Sequence, residues 1–167
     1  MSKLQVHNQI HYVIDVTLAK ENWNIVVRVI RLWFVTDLAK SKIPFSMELI
    51  LQDKEGVRIH GSIRRALIYK FQSQIYDGSV YFVQSFSVAA NGGSYITTHH
   101  PYKINFQFGT KITSLPAQLV PESPPEYIPL SSIYAPGFDT DYLVDIIEVL
   151  TGVGIERELK KMDGRQN

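Results

Sequence analysis

The most reactive-looking side chains in the sequence are the adjacent imidazoles of His99 and His100. A shared metal ion or a proton relay needs two such groups on the same side of the chain. Neighbouring residues of an extended segment point to opposite sides, so these histidines are poorly placed for either task. The sequence also contains no phosphate-binding glycine loop and no HExxH or GxSxG motif. We therefore expect no catalytic residue, no metal site and no cofactor, and a protein that is not an enzyme.

The sequence contains more of the residue types that are needed to bind a single-stranded nucleic acid. Such binding requires cations for the phosphates and flat aromatic faces for the bases, each stacked base contributing about 1–3 kcal/mol. Arg58 and His60 share the outward side of one predicted strand, and Lys103 lies on the outward side of another. Tyr95 follows a Gly-Gly turn, where an aromatic ring has little core to join. Each of these residues alone is also compatible with an ordinary solvated surface. The prediction of nucleic-acid binding therefore depends on all four occurring together.

The charges are divided unevenly along the chain, although the net charge of the 167 residues is only +1. Residues 20–112 contain 12 Lys and Arg against 6 Asp and Glu, whereas residues 113–167 contain 4 basic and 9 acidic side chains. The small net charge argues against a protein that coats polyanions. The basic excess of the first part is compatible with a local groove for nucleic acid.

The elements that must position these residues are predicted from hydrophobic periodicity. Alternation predicts strands, and a helical period of apolar residues predicts one helix. One face of the second strand comprises Phe45, Met47, Leu49 and Leu51, and we expect this face to enter the core. The predicted segments are strands at 23–35, 45–52, 57–62 and 80–90, a helix at 64–75, and a fifth strand that starts at 94–98 and alternates most clearly at 102–108. In this last strand one side comprises Tyr102, Ile104, Phe106 and Phe108, and the outward side comprises Lys103, Asn105 and Gln107.

Five strands with one helix between the third and the fourth is the order expected of an all-β OB-fold, a small Greek-key barrel. In this fold the loop between strands one and two commonly touches the ligand, which makes Lys40 and Lys42 candidates. Arg31 falls by strict alternation on the side of the core residues, so its exposure would require a β-bulge or the curvature of the first strand. Trp33 and Phe34 lie at the end of the first strand, where contact with bases is an alternative, but aromatic residues at a strand end more often pack in the barrel.

The composition changes after the predicted barrel. Six of the eight prolines lie between residues 116 and 136, which indicates an extended linker. The apolar run Tyr142–Thr151 suits either a strand or an amphipathic helix. We therefore divide the chain into an N-terminal lead-in (1–22), an OB-fold domain (23–113), a proline-rich linker (114–137) and an incomplete second domain (138–167).

The run from Trp23 to Ile112 carries four short motifs that resemble a known family. These motifs are Trp23-x-Ile25-x-x-Arg28-Val29, Phe45-Ser46-Met47-Glu48-Leu49, Gly56-Val57-Arg58-Ile59 and Val80-Tyr81-Phe82. With its motifs in that order, the run resembles the single-stranded-DNA-binding OB domains of the large subunit of replication protein A, especially the plant replication-protein-A-like branch. The segment Asp139–Leu150 looks like the first strand of a further OB domain of that family, so the resemblance implies one complete domain, a linker and the stub of a second OB domain.

The resemblance also implies roles for single residues. Arg28 and Arg58 match arginines that contact the nucleic-acid backbone, and Tyr95 matches an aromatic residue that stacks on a base. Ser62 stands where the best-known members carry the other stacking ring, so we expect affinity to be lower by about one stacking energy, ~1–3 kcal/mol. The candidate nucleic-acid-binding residues are therefore Arg28, Arg31, Lys40, Lys42, Arg58, His60, Tyr95 and Lys103.

The function expected from the sequence is single-stranded DNA binding with little sequence preference. RNA is an alternative ligand, and the resemblance implies other replication-protein-A-like subunits as partners, no membrane, a nuclear location and work in DNA replication, repair or recombination. The rival expectation is a protein-interaction OB module, or a truncated copy that has lost DNA binding. Ser62 and the stretch 78–102, which is poor in charge, favour that rival.

Overall fold

The computed structural model describes residues 9–36 and 43–154. This part of the chain is built mainly from β-strands, with a short helix after the third strand. The strands are β1 (Asn24–Thr36), β2 (Pro44–Gln52), β3 (Arg58–Arg64), β4 (Val80–Gln84), β5 (Ser87–Ala90), β6 (Tyr102–Asn105) and β7 (Lys111–Leu115), and the helices are α1 (Arg65–Phe71) and α2 (Leu130–Ile133).

Strand β1 is long enough to pair with two neighbours. Its first half pairs antiparallel with β4, and its second half pairs antiparallel with β2. The register with β2 shifts between Val29 and Arg31, which is the signature of a bulge. Val29 is buried, whereas the side chain of Arg31 is 40% exposed. A bulge in β1 therefore accounts for the exposure of Arg31.

The strand predicted at 80–90 is interrupted at Ser85, which has a φ of 58°. This left-handed residue separates β4, paired with β1, from β5, paired with β6. Strand β6 in turn runs parallel to β3, and β3 pairs antiparallel with β2. The paired strands thus follow the order β5–β6–β3–β2–β1–β4–β7, and the chain at Ser85 connects β5, at one end of this order, to β4 near the other. This arrangement, with α1 after β3, confirms the predicted OB-fold.

The interior of the barrel is filled by the inward faces of the strands and by α1. Met47, Leu49 and Leu51 of β2 are buried as predicted, together with Ile59 of β3. Helix α1 adds Phe71, whose ring meets Phe106 edge to face at 5.3 Å. These contacts fix the outward side of β1–β3, because alternate residues of a strand face opposite ways.

Two aromatic residues predicted on inward faces are exposed instead. Phe45 is 65% exposed and Phe108 is 66% exposed, because each lies at or beyond the end of its strand, where alternation no longer points into the barrel. The returning arm predicted at 94–98 is not a strand either, and the strand predicted at 102–108 ends at Asn105. Strand β7, which pairs with β4, was not predicted as a separate element.

Residues on both sides of the predicted 23–113 domain pack against the barrel. Val13 and Val16 are fully buried, and the Val13 amide donates to Asp53 Oδ2 at 2.8 Å. Val120, in the predicted linker, is also fully buried. Residues 138–154 contain no regular helix or strand and join the rest of the fold through isolated bridges at Tyr142 and Asp145.

Two kinds of feature, a membrane-spanning helix and a cluster of metal-ligating side chains, are absent from the described residues. Within residues 9–36 and 43–154, no helix is long and apolar enough to cross a membrane. The same part of the chain holds no group of three or more metal-ligating side chains.

Candidate nucleic-acid interface

A groove of about 790 Å³ lies on the outward face of β1, β2 and β3. Its floor contains Arg31 and Trp33 from β1, Ile50 from β2 and Arg58 from β3. Residues 97–101, in the loop between β5 and β6, form one wall. Two guanidinium groups and an indole ring are thus brought to one concave surface, the combination of cation and aromatic face that single-strand binding uses.

The strand pairings explain this convergence. Arg31 lies opposite Ile50, and Ile50 lies opposite His60 on β3. His60 is in turn aligned with Lys103 on the parallel strand β6. Because paired residues of neighbouring strands face the same side of a sheet, these residues form a row across the barrel.

Arg58 is held beside the groove by a neighbour on β2. Its Nε donates to Gln52 Oε1 at 3.0 Å, and its side chain is partly buried. The amide oxygen of Gln52 orients the guanidinium without neutralising its charge. Arg58 therefore keeps the properties that a phosphate contact requires.

The centre of the same face carries a partly buried carboxylate, Glu48. Burial acts to raise its pKa, but hydrogen bonds from His60, Ser46 and Ser62 outweigh it and hold the pKa below its ordinary value. His60 Nε2 lies 2.6 Å from one carboxylate oxygen, and the Ser62 hydroxyl donates to the other at 3.0 Å. At neutral pH Glu48 is therefore ionised and partnered within the fold.

His60 is a positioning residue rather than an open cation. Only 13% of its side chain is exposed, its Nδ1 contacts Thr97 Oγ1, and its ring meets Trp33 edge to face at 5.7 Å. The contacts of His60 lie within the fold, and its predicted contact with nucleic acid stays a prediction. Its contacts hold Trp33 and Glu48 in place, which fixes the aromatic surface of the groove.

Arg28, the arginine predicted to contact a nucleic-acid backbone, is buried with 5% exposure. Its guanidinium donates to the carbonyl oxygens of Ala117 and Val120 at 2.6–3.1 Å, and to that of Gly78 at 2.5 Å. Arg28 pairs with Gln52 and thus lies in the same row as Arg58, but Gly78 and the segment after β7 enclose its guanidinium, so it does not line the groove. Its predicted contact with a nucleic-acid backbone stays a prediction. Its role is to fasten the segment after β7 to the barrel.

The other predicted contacts are placed less centrally. Lys103 is partly buried on β6, and Tyr95 is 78% exposed on the loop that precedes the groove wall. Lys40 and Lys42 lie outside the described residues. Of the two histidines, His100 is buried with Nε2 3.0 Å from the carbonyl oxygen of Val13, while His99 packs against the Tyr142 ring.

Sequence reasoning favoured barrel packing for Trp33 and missed two acidic residues. Trp33 shares the outward face with Glu48, its partner across β1 and β2, and strand alternation from Arg58 and His60 through this register was a signal that could have placed both. Asp145 lies 114 positions after Arg31, yet its Oδ2 is 2.9 Å from Arg31 Nη2. No local sequence pattern predicts that contact.

The fold and the groove together define an OB-fold domain with a basic and aromatic face. The family model described as a domain of unknown function, DUF223, matches residues 14–133, and the chain belongs to this family. No curated protein sequence matches the chain significantly.

Solved structures with the same fold include a replication protein A heterotrimer bound to single-stranded DNA, with a TM-score of 0.59 and 17% identity. That match covers 74% of this chain and only 29% of the replication protein A chain. DNA-binding domain A of S. cerevisiae replication protein A gives a TM-score of 0.44 at 19% identity, covering 69% of this chain and 97% of the domain. A hypothetical protein from Arabidopsis thaliana gives 0.48 at 10% identity, covering 92% and 96%. At 17% identity the likeness to the heterotrimer shows a shared fold.

Proposed function

We propose that this protein binds single-stranded DNA in the groove over β1–β3, with little sequence preference and no chemistry of its own. The observation that carries the proposal is the meeting of Arg31, Trp33 and Arg58 in one groove of an OB-fold. The resemblance to a replication protein A structure that contains single-stranded DNA supports it.

Each group has a distinct task in this proposal. Arg31 and Arg58 neutralise phosphates, and Lys103 extends the basic row towards β6. Trp33 offers its ring to a base, a contact that every base accepts because every base has a π face. Tyr95, two residues before the groove wall, provides a second exposed ring. The absence of sequence preference follows from contacts with phosphates and base faces rather than base edges.

The biological setting belongs to the same proposal. We infer a replication-protein-A-like subunit, or a fragment of one, that acts in DNA replication, repair or recombination in the nucleus. Other replication-protein-A-like subunits are its proposed protein partners. RNA is the competing ligand, since neither phosphate contacts nor stacking on Trp33 distinguishes the two sugars.

The first prediction concerns salt. Each phosphate that a cation neutralises releases counterions, so log K falls with log salt by about 0.7 per contact on a single strand. With Arg31, Arg58 and Lys103 in contact, we expect a slope of about −2 for an oligothymidylate of about 30 nucleotides. Fluorescence anisotropy at a series of salt concentrations measures it.

A matched pair of variants sharpens this experiment. Arg58→Gln should reduce the slope by about 0.7, whereas Arg65→Gln, on α1 away from the groove, should leave it nearly unchanged. No binding at low salt, or a slope that neither variant alters, contradicts the proposal. RNA of matched length, titrated alongside, gives the preference between the two ligands.

A protein-interaction module is the second candidate, and one observation favours it. The groove is crossed by a segment of the protein's own chain, which pairs with the loop at Ile96. A surface that holds one extended peptide has the geometry to hold another. If the oligonucleotide does not bind at low salt, the function as a protein-interaction module is favoured.

A further inference from the structure

An acidic segment of the chain lies over the groove. Residues 139–148, here called the acidic strap, contain four carboxylates and no Lys or Arg. Leu143, Val144 and Asp145 of the strap line the groove together with Arg31 and Arg58. The Asp145 carboxylate of the strap is therefore placed close to the cations assigned to phosphates.

Backbone and side-chain contacts hold the strap, among them a hydrogen bond from the Leu130 amide to Glu148 Oε1 at 3.2 Å. The Leu143 amide donates to the carbonyl of Ile96 at 2.8 Å, and the Tyr142 ring lies 4.0 Å from the His99 ring. Further along, the carbonyl of Asp145 accepts from the amide of Ile128 at 3.0 Å. These contacts align the Asp145 carboxylate with Arg31 Nη2, 2.9 Å away.

We propose that the acidic strap is a built-in competitor of the nucleic-acid strand, with Asp145 occupying the position of a phosphate on Arg31. This inference rests on the proposed function and adds a means of regulating the same groove. A carboxylate and a phosphate both offer oxygens to a guanidinium, so the two ligands exclude each other at Arg31. DNA binding then requires displacement of the strap.

The contacts of the strap are weak enough for displacement. The side chains of Arg31 and Asp145 are 40% and 47% exposed, and an ion pair so exposed to solvent contributes little to stability. Strand-like pairing is limited to isolated bridges at Tyr142 and Asp145. Leu143 and Ile147 remain 54% and 66% exposed, so little apolar burial holds the strap down. The strap can therefore restrain binding without abolishing it.

The test compares two variants of the full chain that lose the same charge. Asp145→Asn removes the partner of Arg31, whereas Asp141→Asn removes a nearby strap carboxylate that does not line the groove. We expect Asp145→Asn to tighten oligothymidylate binding about 2- to 5-fold, the range of an exposed ion pair. Asp141→Asn should give a clearly smaller change. Equal effects of the two variants would contradict the proposal that Asp145 competes with a phosphate for Arg31.

A second measurement follows the strap itself. In amide NMR spectra, added oligothymidylate should move the Leu143 and Ile128 resonances of the wild-type protein towards unstructured positions. If the oligonucleotide binds but these resonances stay in place, the strap is not displaced, and the competition fails while the proposed function stands. If neither wild-type nor Asp145→Asn protein binds at low salt, the proposed function fails, and the competition fails with it.

Discussion

Replacing Arg28 with Met is expected to lower the free energy of unfolding by about 3 kcal/mol, since a hydrogen bond to a charged group contributes about 1.5–3 kcal/mol. The guanidinium serves the carbonyls of Gly78, Ala117 and Val120, and the Met side chain would leave these oxygens without their donor. Val120 itself is fully buried, so its carbonyl has little access to water as a substitute. The effect arises within the fold and not at the groove.

Chemical denaturation monitored by circular dichroism measures this change. Arg31→Met is the matched control, because Arg31 lies on the same strand but its ion pair with Asp145 is exposed, and its loss should cost less than about 1 kcal/mol. Equal destabilisation by both variants would show that Arg28 does not fasten the segment after β7. Where Arg28→Met remains folded, its salt slope for oligonucleotide binding should match the wild type.

Replacing Trp33 with Ala is expected to weaken oligothymidylate binding by about 1–3 kcal/mol, roughly 5- to over 100-fold. Trp33 is the aromatic ring on the groove floor, and no neighbouring ring replaces its face when it is removed, since His60 meets it edge on. The side chain is only partly buried, so the fold should persist. Anisotropy titrations at fixed low salt measure the loss.

Phe108→Ala is the control for this substitution. Phe108 is also an exposed aromatic, but it lies beyond β6 and contacts Lys70 of α1 instead of the groove. Its removal should leave the affinity within about 2-fold, the range of surface substitutions. If both variants bind as tightly as the wild type, bases do not stack on Trp33, and the groove assignment is wrong.

Most of the strands could be predicted from the pattern of hydrophobic residues along the sequence. Alternation in β2 and β3 predicted their buried sides, because a strand with one face in the core must repeat every two residues. The break at Ser85 was not predicted, since serine has no strong preference for a left-handed backbone and the closure of the barrel imposes it. Phe45 and Phe108 were misplaced because alternation says nothing about where a strand leaves the core.

The site was predicted less completely, and Arg28 and Arg31 show why. Both are arginines on one strand, three positions apart, and strict alternation would place them on opposite sides. The bulge between them turns Arg31 to the outward side, where Arg28 already lies. The sequence indicated that exposure of Arg31 needs a bulge or a curved first strand but contained no signal for the place of a bulge. The contacts that distinguish the two arginines, with Val120 and Asp145, join residues 92 and 114 positions apart, and long-range pairs of this kind depend on the folded chain.

The fluorescence of the two tryptophans tests directly whether single-stranded DNA lies in the groove over β1–β3. Trp33 lines the groove, whereas Trp23 is buried in the barrel with 5% exposure. Oligothymidylate added to the wild-type protein should quench tryptophan emission, because a stacked base contacts the indole. The quenching should persist in Trp23→Phe and disappear in Trp33→Phe. Binding detected by anisotropy without any quenching, or quenching that persists in Trp33→Phe, would contradict the account.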